Sequence, residues 1–294
     1  MSAVRIWLMA ARLRTLPAAI APVLVGTALA DFEHHFHALR FAAALVGAVF
    51  IQVGTNLSND YSDARRGADA DDRLGPVRVT AGGLVPPSQV LVAIYVSFGL
   101  AVLVGIYLIV VAGWLLLAIG AASILAGVLY TGGPRPYGYA GLGELFVFLF
   151  FGVVAVAGSY YVQDQHLRWE ALALSVPVGL LAAAILIVNN VRDIDSDRRA
   201  DKQTLAVKLG RDRTRQMFAA TVLLAYPLAL VTWVAGPLRP WVALCWLSLP
   251  LAGGLIRIVS TRTDGPSLNG ALARSGMLQL CFCVLLSVGL IVSR

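Results

Sequence analysis

The chain has 294 residues, of which 59% belong to the AVILMFWYC set and 13% are charged, where a soluble domain has roughly 45–50% apolar and about 25% charged residues. A mean hydropathy of +0.78 matches most of the chain to lipid rather than water, which excludes soluble nucleotide-binding folds and disordered tails. The net charge of +7 therefore bears on orientation in a membrane, and no nucleic-acid partner is expected.

In chain order, Arg5, Arg12 and Arg14 come first and interrupt the apolar run too early for a cleaved signal peptide. Nine candidate transmembrane helices follow, near 15–31, 41–59, 89–111, 114–130, 143–161, 170–190, 216–234, 240–258 and 275–292, each close to the roughly 17–25 residues that cross a bilayer. The expected fold is all-α: a polytopic bundle around a central cavity, with a cytoplasmic N-terminus. The chain reads as one domain, 1–294, in two four-span blocks (roughly 10–130 and 140–260) plus a final helix at 275–292. On that topology 19 Lys and Arg residues fall in cytoplasmic segments and only four, Arg40, Arg168, Arg239 and Arg294, fall outside. Basic loops resist translocation, so this asymmetry orients a multi-pass protein of the cell membrane. Cys245, Cys281 and Cys283 all lie inside predicted spans, where a thiol packs as a small apolar residue and no disulfide is expected. His34, His35 and His37 fall in the first outer loop and read as solvated rather than metal-binding.

The acidic residues carry the chemistry. Of 16 Asp and Glu, four (Asp31, Glu33, Asp164, Glu170) are on the outer side, and most of the others form two clusters, each closing a hydrophobic helix. The first is Asn56-Leu-Ser-Asn59-Asp60-Tyr61-Ser-Asp63, whose spacings of three, four and seven put two carboxylates and two carboxamides on one helical face. The second is Asn189-Asn190-Val-Arg192-Asp193-Ile-Asp195-Ser-Asp197, continuing to Asp201-Lys202, with Asn189, Asp193, Asp197 and Asp201 recurring every four residues. Like charges stacked at a membrane boundary repel unless a cation lies between them. All-oxygen ligation suits Mg²⁺, which is usually completed by substrate phosphates. Two such faces, 133 residues apart from Asp60 to Asp193, would clamp one diphosphate between them. For Asp69, Asp71, Asp72, Asp195 and Asp212 a solvated loop charge is as good a reading.

These residues bear a resemblance. The paired Asp-rich helix ends are similar to the UbiA-type superfamily of intramembrane prenyltransferases, a nine-helix bundle with an aspartate-lined cavity under a cytoplasmic cap. Finer strings resemble the branch that uses 1,4-dihydroxy-2-naphthoate in menaquinone synthesis: Arg12-Leu-Arg14-Thr15-Leu-Pro17, Asn59-Asp60-Tyr61-Ser-Asp63, Tyr130-Thr-Gly-Gly-Pro134-Arg135-Pro-Tyr137-Gly-Tyr139, Gly141-Leu-Gly-Glu144, and Asn189-Asn190 through Lys208-Leu-Gly210. One departure is Ala200-Asp201 before Lys202, where much of the family has a glycine.

The resemblance implies transfer of a polyprenyl chain from polyprenyl diphosphate to 1,4-dihydroxy-2-naphthoate, giving demethylmenaquinone, carbon dioxide and diphosphate. It also implies a cytoplasm-facing site, with the lipid bilayer as the protein's surroundings. Mg²⁺ would be held by Asp60, Asp63, Asp193 and Asp197, with Asn56 and Asn59 as neutral partners, and would draw charge from the leaving diphosphate. Arg135, Lys202, Arg73 and Arg78 are candidates for the phosphates. Arg14 and Arg192 are candidates for the naphthoate carboxylate, and Tyr61, Tyr137, Tyr139, Asn189 and Asn190 for the ring. Glu144, at the start of an apolar span, is a candidate proton acceptor. Phe146, Phe148, Phe150 and Phe151 would line a prenyl tunnel. An acceptor such as 4-hydroxybenzoate, haem or a phosphoribosyl compound remains open, as does an ion-coupled transporter, although a transporter would place its acids at the bilayer midplane.

Overall fold

A computed structural model describes residues 2–67 and 74–294, so the expectations for Asp69, Asp71, Asp72 and Arg73 lie outside the described residues. Among the described residues every regular element is helical. In chain order they are α1 (Ala3–Ala11), α2 (Pro17–Phe32), α3 (Ala38–Arg65), α4 (Pro87–Ala112), α5 (Leu115–Leu129), α6 (Gly143–Asp164), α7 (Trp169–Arg199), the short α8 (Leu205–Leu209), α9 (Arg211–Val234), α10 (Pro240–Thr261) and α11 (Gly265–Val292).

Among the described residues seven helices are long and apolar enough to cross a membrane, and the segment 3–32 makes an eighth if its bent halves count together. Each of the nine expected spans has a helix in place, but α5 at 114–130 has only 15 helical residues. It therefore falls short of the length that an unaided crossing needs, about 20 residues. The N-terminal span is broken because Arg12 takes a left-handed conformation (φ +52°) and Pro17 starts a fresh helix; the two halves meet at 51°.

Burial is uneven, and that decides what faces lipid. In α7, 72% of the most apolar window is buried, against 22% in α4. The central helix α7 shares the main core with α2, α6, α9, α10 and α11, while a smaller core joins α1, α3, α4 and α5. α6 reaches α7 closely through two glycines: a Cβ on Gly152 would meet Gly179 Cα at 2.5 Å and the Ser175 carbonyl oxygen at 2.8 Å. Gly152 sits in a π-helical stretch, Leu149–Val154, which shifts the phenylalanine face of α6 relative to a regular helix. The two Asp-bearing helix ends, at the C-termini of α3 and α7, lie at the same end of the bundle, bridged by residues 131–140 and Lys202.

At the opposite end the α2–α3 and α6–α7 connections are tied by charge. His35 pairs with Asp164, Arg168 Nε lies 2.9 Å from Glu33 Oε2, and Tyr160 donates to Asp164 at 2.8 Å. The other histidines of the α2–α3 connection are bonded as well, since His34 accepts from Arg294 at 2.9 Å and the His37 amide donates to Gln163 at 2.7 Å.

Candidate active site

The bundle contains a partly open cavity of about 460 Å³ between α2, α3, α4, α5, α6 and α7. Its polar end is formed by Arg12, Asn56, Asn59, Asp63, Arg78, Asn189 and Lys202, and the remainder is apolar, with Phe146, Phe150 and Phe151 on one side. Phe148, the fourth expected tunnel residue, packs against Gly179 instead, because two residues of regular α-helix turn it about 200° away from Phe146.

The last turns of α3 present Asn56, Asn59, Asp60 and Asp63, all at most 6% exposed. They line up because α3 stays helical past the apolar run, to Arg65. Asn56 Nδ2 donates to the Ala11 carbonyl at 3.0 Å and to Thr15 Oγ1 at 3.2 Å, fastening the α1–α2 hinge to α3. Asn59 Oδ1 accepts from Thr131 at 3.1 Å. Asp60 accepts the amides of Val79 and Thr80, at 3.1 and 2.9 Å, one on each carboxylate oxygen. Asp63 accepts from Arg78 Nη2 and from the Tyr139 hydroxyl, both at 2.9 Å. Burial and the adjacent Asp63 carboxylate push the Tyr139 phenol well above its ordinary pKa, so it remains a donor.

On α7, Asp193 takes a two-pronged contact from Arg192, at 2.7 and 2.6 Å. The same guanidinium donates to Asn189 at 2.8 Å and to Asn269 on α11 at 2.7 Å. Asn269 in turn donates to the Leu74 carbonyl at 2.9 Å, so this chain of contacts ties the second Asp helix to the start of the segment that carries Arg78. Lys202 Nζ lies 3.8 Å from Asp197 and 5.1 Å from the Tyr139 ring centre. Asp63, Tyr139, Lys202 and Asp197 thus form a continuous bridge between the two clusters. Asp201 adopts φ +52°, the left-handed conformation that a glycine would take there and that Asp tolerates better than most residues. The turn before Lys202 therefore survives the sequence departure.

The structure brings Asn56, Asn59, Asp63, Arg78, Tyr137, Asn189 and Lys202 onto the cavity wall. Asp60, Asp193 and Asp197 lie at the same end but are not part of the wall. Other expected residues have different surroundings. Arg192, 3% exposed, is taken up by Asp193 and two asparagines. Arg14 and Arg135 are exposed and off the wall. Tyr61 joins the small core with Ile6 and Trp7, and Tyr139 reaches the site through Asp63. Glu144 accepts from Asn190 at 2.8 Å, its other oxygen is buried without a hydrogen-bond partner, and neither residue is on the wall. A proton bound for Glu144 would have to pass its surroundings first. Asp195 and Asp212 pair with Arg211 and Arg215 as surface charges.

The polar wall residues that the sequence analysis did not assign to the site include Arg12, Thr15 and Gln52. Gln52 could have been found, because it extends the Asn56–Asp60 stripe by one helical turn. Arg12 reaches the wall only through its left-handed conformation, which no pattern announces.

A membrane-embedded helical bundle with a cavity that carries three cations, three carboxamides and one carboxylate at one end and is aromatic and aliphatic along its length suits a substrate with an anionic head and an apolar tail. The UbiA prenyltransferase family matches residues 19–275, and the chain belongs to it. The 1,4-dihydroxy-2-naphthoate octaprenyltransferase of Mycobacterium tuberculosis is 42% identical over 278 residues, covering 95% of this chain and 94% of that protein. The protein of the same name from Escherichia coli is 37% identical over 98% of this chain and 96% of its own length. Among solved structures, a UbiA homologue from Aeropyrum pernix superposes with a TM-score of 0.70 at 15% identity, covering 94% of this chain and 97% of that one. A UbiA homologue from Archaeoglobus fulgidus bound to GPP and Mg²⁺ gives 0.67 at 16% identity, over 98% and 99%. At such identities the likeness is one of fold.

Proposed function

We propose that the protein transfers a polyprenyl chain from polyprenyl diphosphate to 1,4-dihydroxy-2-naphthoate, releasing diphosphate and carbon dioxide, at a site on the cytoplasmic face of the cell membrane. The observation that carries the reaction class is the cavity, a polar end of amides, carboxylate and cations continuing into an apolar wall. The relatives of the same span and 37–42% identity named for this acceptor support the naphthoate over other aromatic acids.

The donor set is all oxygen, as a hard divalent cation requires: Asp63, Asn56 and Asn59 lie on the wall, and Asp60, Asp193 and Asp197 lie at the same end, where a cation would compete with the Val79 and Thr80 amides for Asp60 and with Arg192 for Asp193. When bound, Mg²⁺ would supply charge neutralisation of the leaving diphosphate. The chain's own residues do the rest. Arg78 and Lys202, on the wall, place positive charge beside the phosphates, and Tyr139 fixes Asp63. Phe146, Phe150 and Phe151 hold the prenyl chain out of water. The allylic carbon then lies where the polar end meets the apolar wall, and there the naphthoate ring carbon attacks: the new C–C bond forms as the C–O bond to diphosphate breaks, and the ring's carboxylate leaves as carbon dioxide. Tyr137, stacked on Phe146 with ring centres 4.0 Å apart, borders that junction.

The test is a product assay on protein purified in detergent, with Mg²⁺, a polyprenyl diphosphate, and dihydroxynaphthoate or 4-hydroxybenzoate in parallel. Prenylated naphthoquinol with released carbon dioxide, abolished by EDTA, is the expected result. Prenylated hydroxybenzoate alone would overturn the acceptor, and no product from either would overturn the reaction class.

A further inference from the structure

Gln52 is 7% exposed, lines the central cavity, and its side-chain Oε1 is buried without a hydrogen-bond partner. The orientation of its amide is set by its surroundings. Thr15 Oγ1 donates its one proton to the Arg12 carbonyl at 2.9 Å and accepts from Asn56 Nδ2 at 3.2 Å. The hydroxyl has only an acceptor role left for Gln52, so the nitrogen faces Thr15, at 3.2 Å, and the oxygen is left over. A buried carbonyl with no donor is costly unless a ligand supplies one.

The position of Gln52 narrows the ligand. It precedes Asn56 by four residues on the same face of α3, one turn or about 6 Å deeper into the apolar part of the cavity. That is the junction where the allylic carbon lies under the reading given above, on which this inference rests. Neither a diphosphate at neutral pH nor a prenyl chain has a proton to give. A dihydroxynaphthoate has two phenolic hydroxyls.

We infer that Gln52, held by Thr15 at the α1–α2 hinge, is the acceptor-reading residue: its Oε1 accepts a hydrogen bond from a ring hydroxyl of the aromatic substrate. That bond orients the ring above the allylic carbon and leaves more electron density on the attacking ring than a hydroxyl bonded the other way would. It also selects against aromatic acids that place no hydroxyl at this depth.

The experiment compares wild-type protein with Gln52→Met, which keeps the length of the side chain and removes the amide. KM is measured for dihydroxynaphthoate and for the prenyl diphosphate, with inhibition constants for 1-hydroxy-2-naphthoate and 4-hydroxy-2-naphthoate. The expected result is a loss of about tenfold in apparent affinity for dihydroxynaphthoate, no change for the prenyl diphosphate, and a loss that disappears for the one analogue lacking the hydroxyl that Gln52 reads. Thr15→Val, which releases the amide from its anchor on a different helix, should reduce the discrimination between the two analogues. An equal loss for all three naphthoates, an effect on the prenyl diphosphate alone, or no effect would overturn the assignment. A wild-type protein that prenylates 4-hydroxybenzoate and not dihydroxynaphthoate would remove the functional reading beneath it, and the assignment with it.

Discussion

Replacing Asp193 by alanine should destabilise the protein as well as inactivate it. Arg192 is 3% exposed and its guanidinium is neutralised by the two oxygens of Asp193 at 2.6–2.7 Å. Removing that carboxylate leaves a buried cation still bonded to the neutral oxygens of Asn189 and Asn269. An uncompensated buried charge costs about 3–5 kcal/mol, and the two amide oxygens place this site toward the lower end. For a chain of this size that corresponds to a drop on the order of 10 °C in unfolding midpoint, readable by thermal unfolding in detergent. Arg192→Ala leaves the converse defect, a buried carboxylate. The double variant Arg192→Met with Asp193→Leu removes both charges and should recover most of the lost stability while remaining inactive. An Asp193→Ala midpoint equal to wild type, or a double variant no more stable than the single one, would refute the view that Arg192 is held for structure.

Other expectations follow from the same contacts. Asp60→Ala should abolish turnover and loosen the segment around Val79 and Thr80, which a protease-sensitivity assay on folded protein would register, because both carboxylate oxygens hold its amides. Gly152→Ala should destabilise by about 1–3 kcal/mol through overpacking against Gly179, whereas Gly158→Ala, with nothing within 4 Å of the added carbon, should leave the melting temperature unchanged. Tyr139 has a raised pKa in the folded state, so its contribution is fully present below the unfolded value of about 10 and is lost as pH rises beyond it. Wild type should therefore lose thermal stability above that pH more steeply than Tyr139→Phe, and parallel curves would contradict the Asp63 contact.

Composition and the length of the apolar runs by themselves determined that the chain is a helical membrane bundle, because 59% apolar content in long runs can be solvated only by lipid, lipid requires every backbone group to be paired, and a long unbroken apolar run meets that requirement as a helix, whereas a barrel strand alternates. Helical periodicity was enough to bring Asn56, Asn59, Asp60 and Asp63 onto one face, since neighbours three and four apart share a side. Similar spacing marked Asn189, Asp193 and Asp197 on the second helix. The span at 114–130 shows the limit of that reading: apolar runs measure hydropathy, whereas helix length depends on where turns form, and α5 stops after 15 residues.

What only the tertiary structure decided is which polar groups are spoken for. Arg192, Arg78 and Lys202 are alike as basic residues in loops or at helix ends, yet packing commits the first to Asp193 and Asn269 and puts the other two on the cavity wall. Tyr61 and Tyr137 are equally plausible ring partners by sequence, and one is in a satellite core while the other stacks beside the cavity. Arg12 and Gln52 entered the site through a left-handed residue and a three-way hydrogen bond at Thr15. Sequence spacing encodes the direction of a side chain along one helix, but a hydrogen bond between helices depends on where the neighbouring helix lies, and that is set by contacts such as Gly152 on Gly179, which come from chain segments far apart and act only once the bundle has closed.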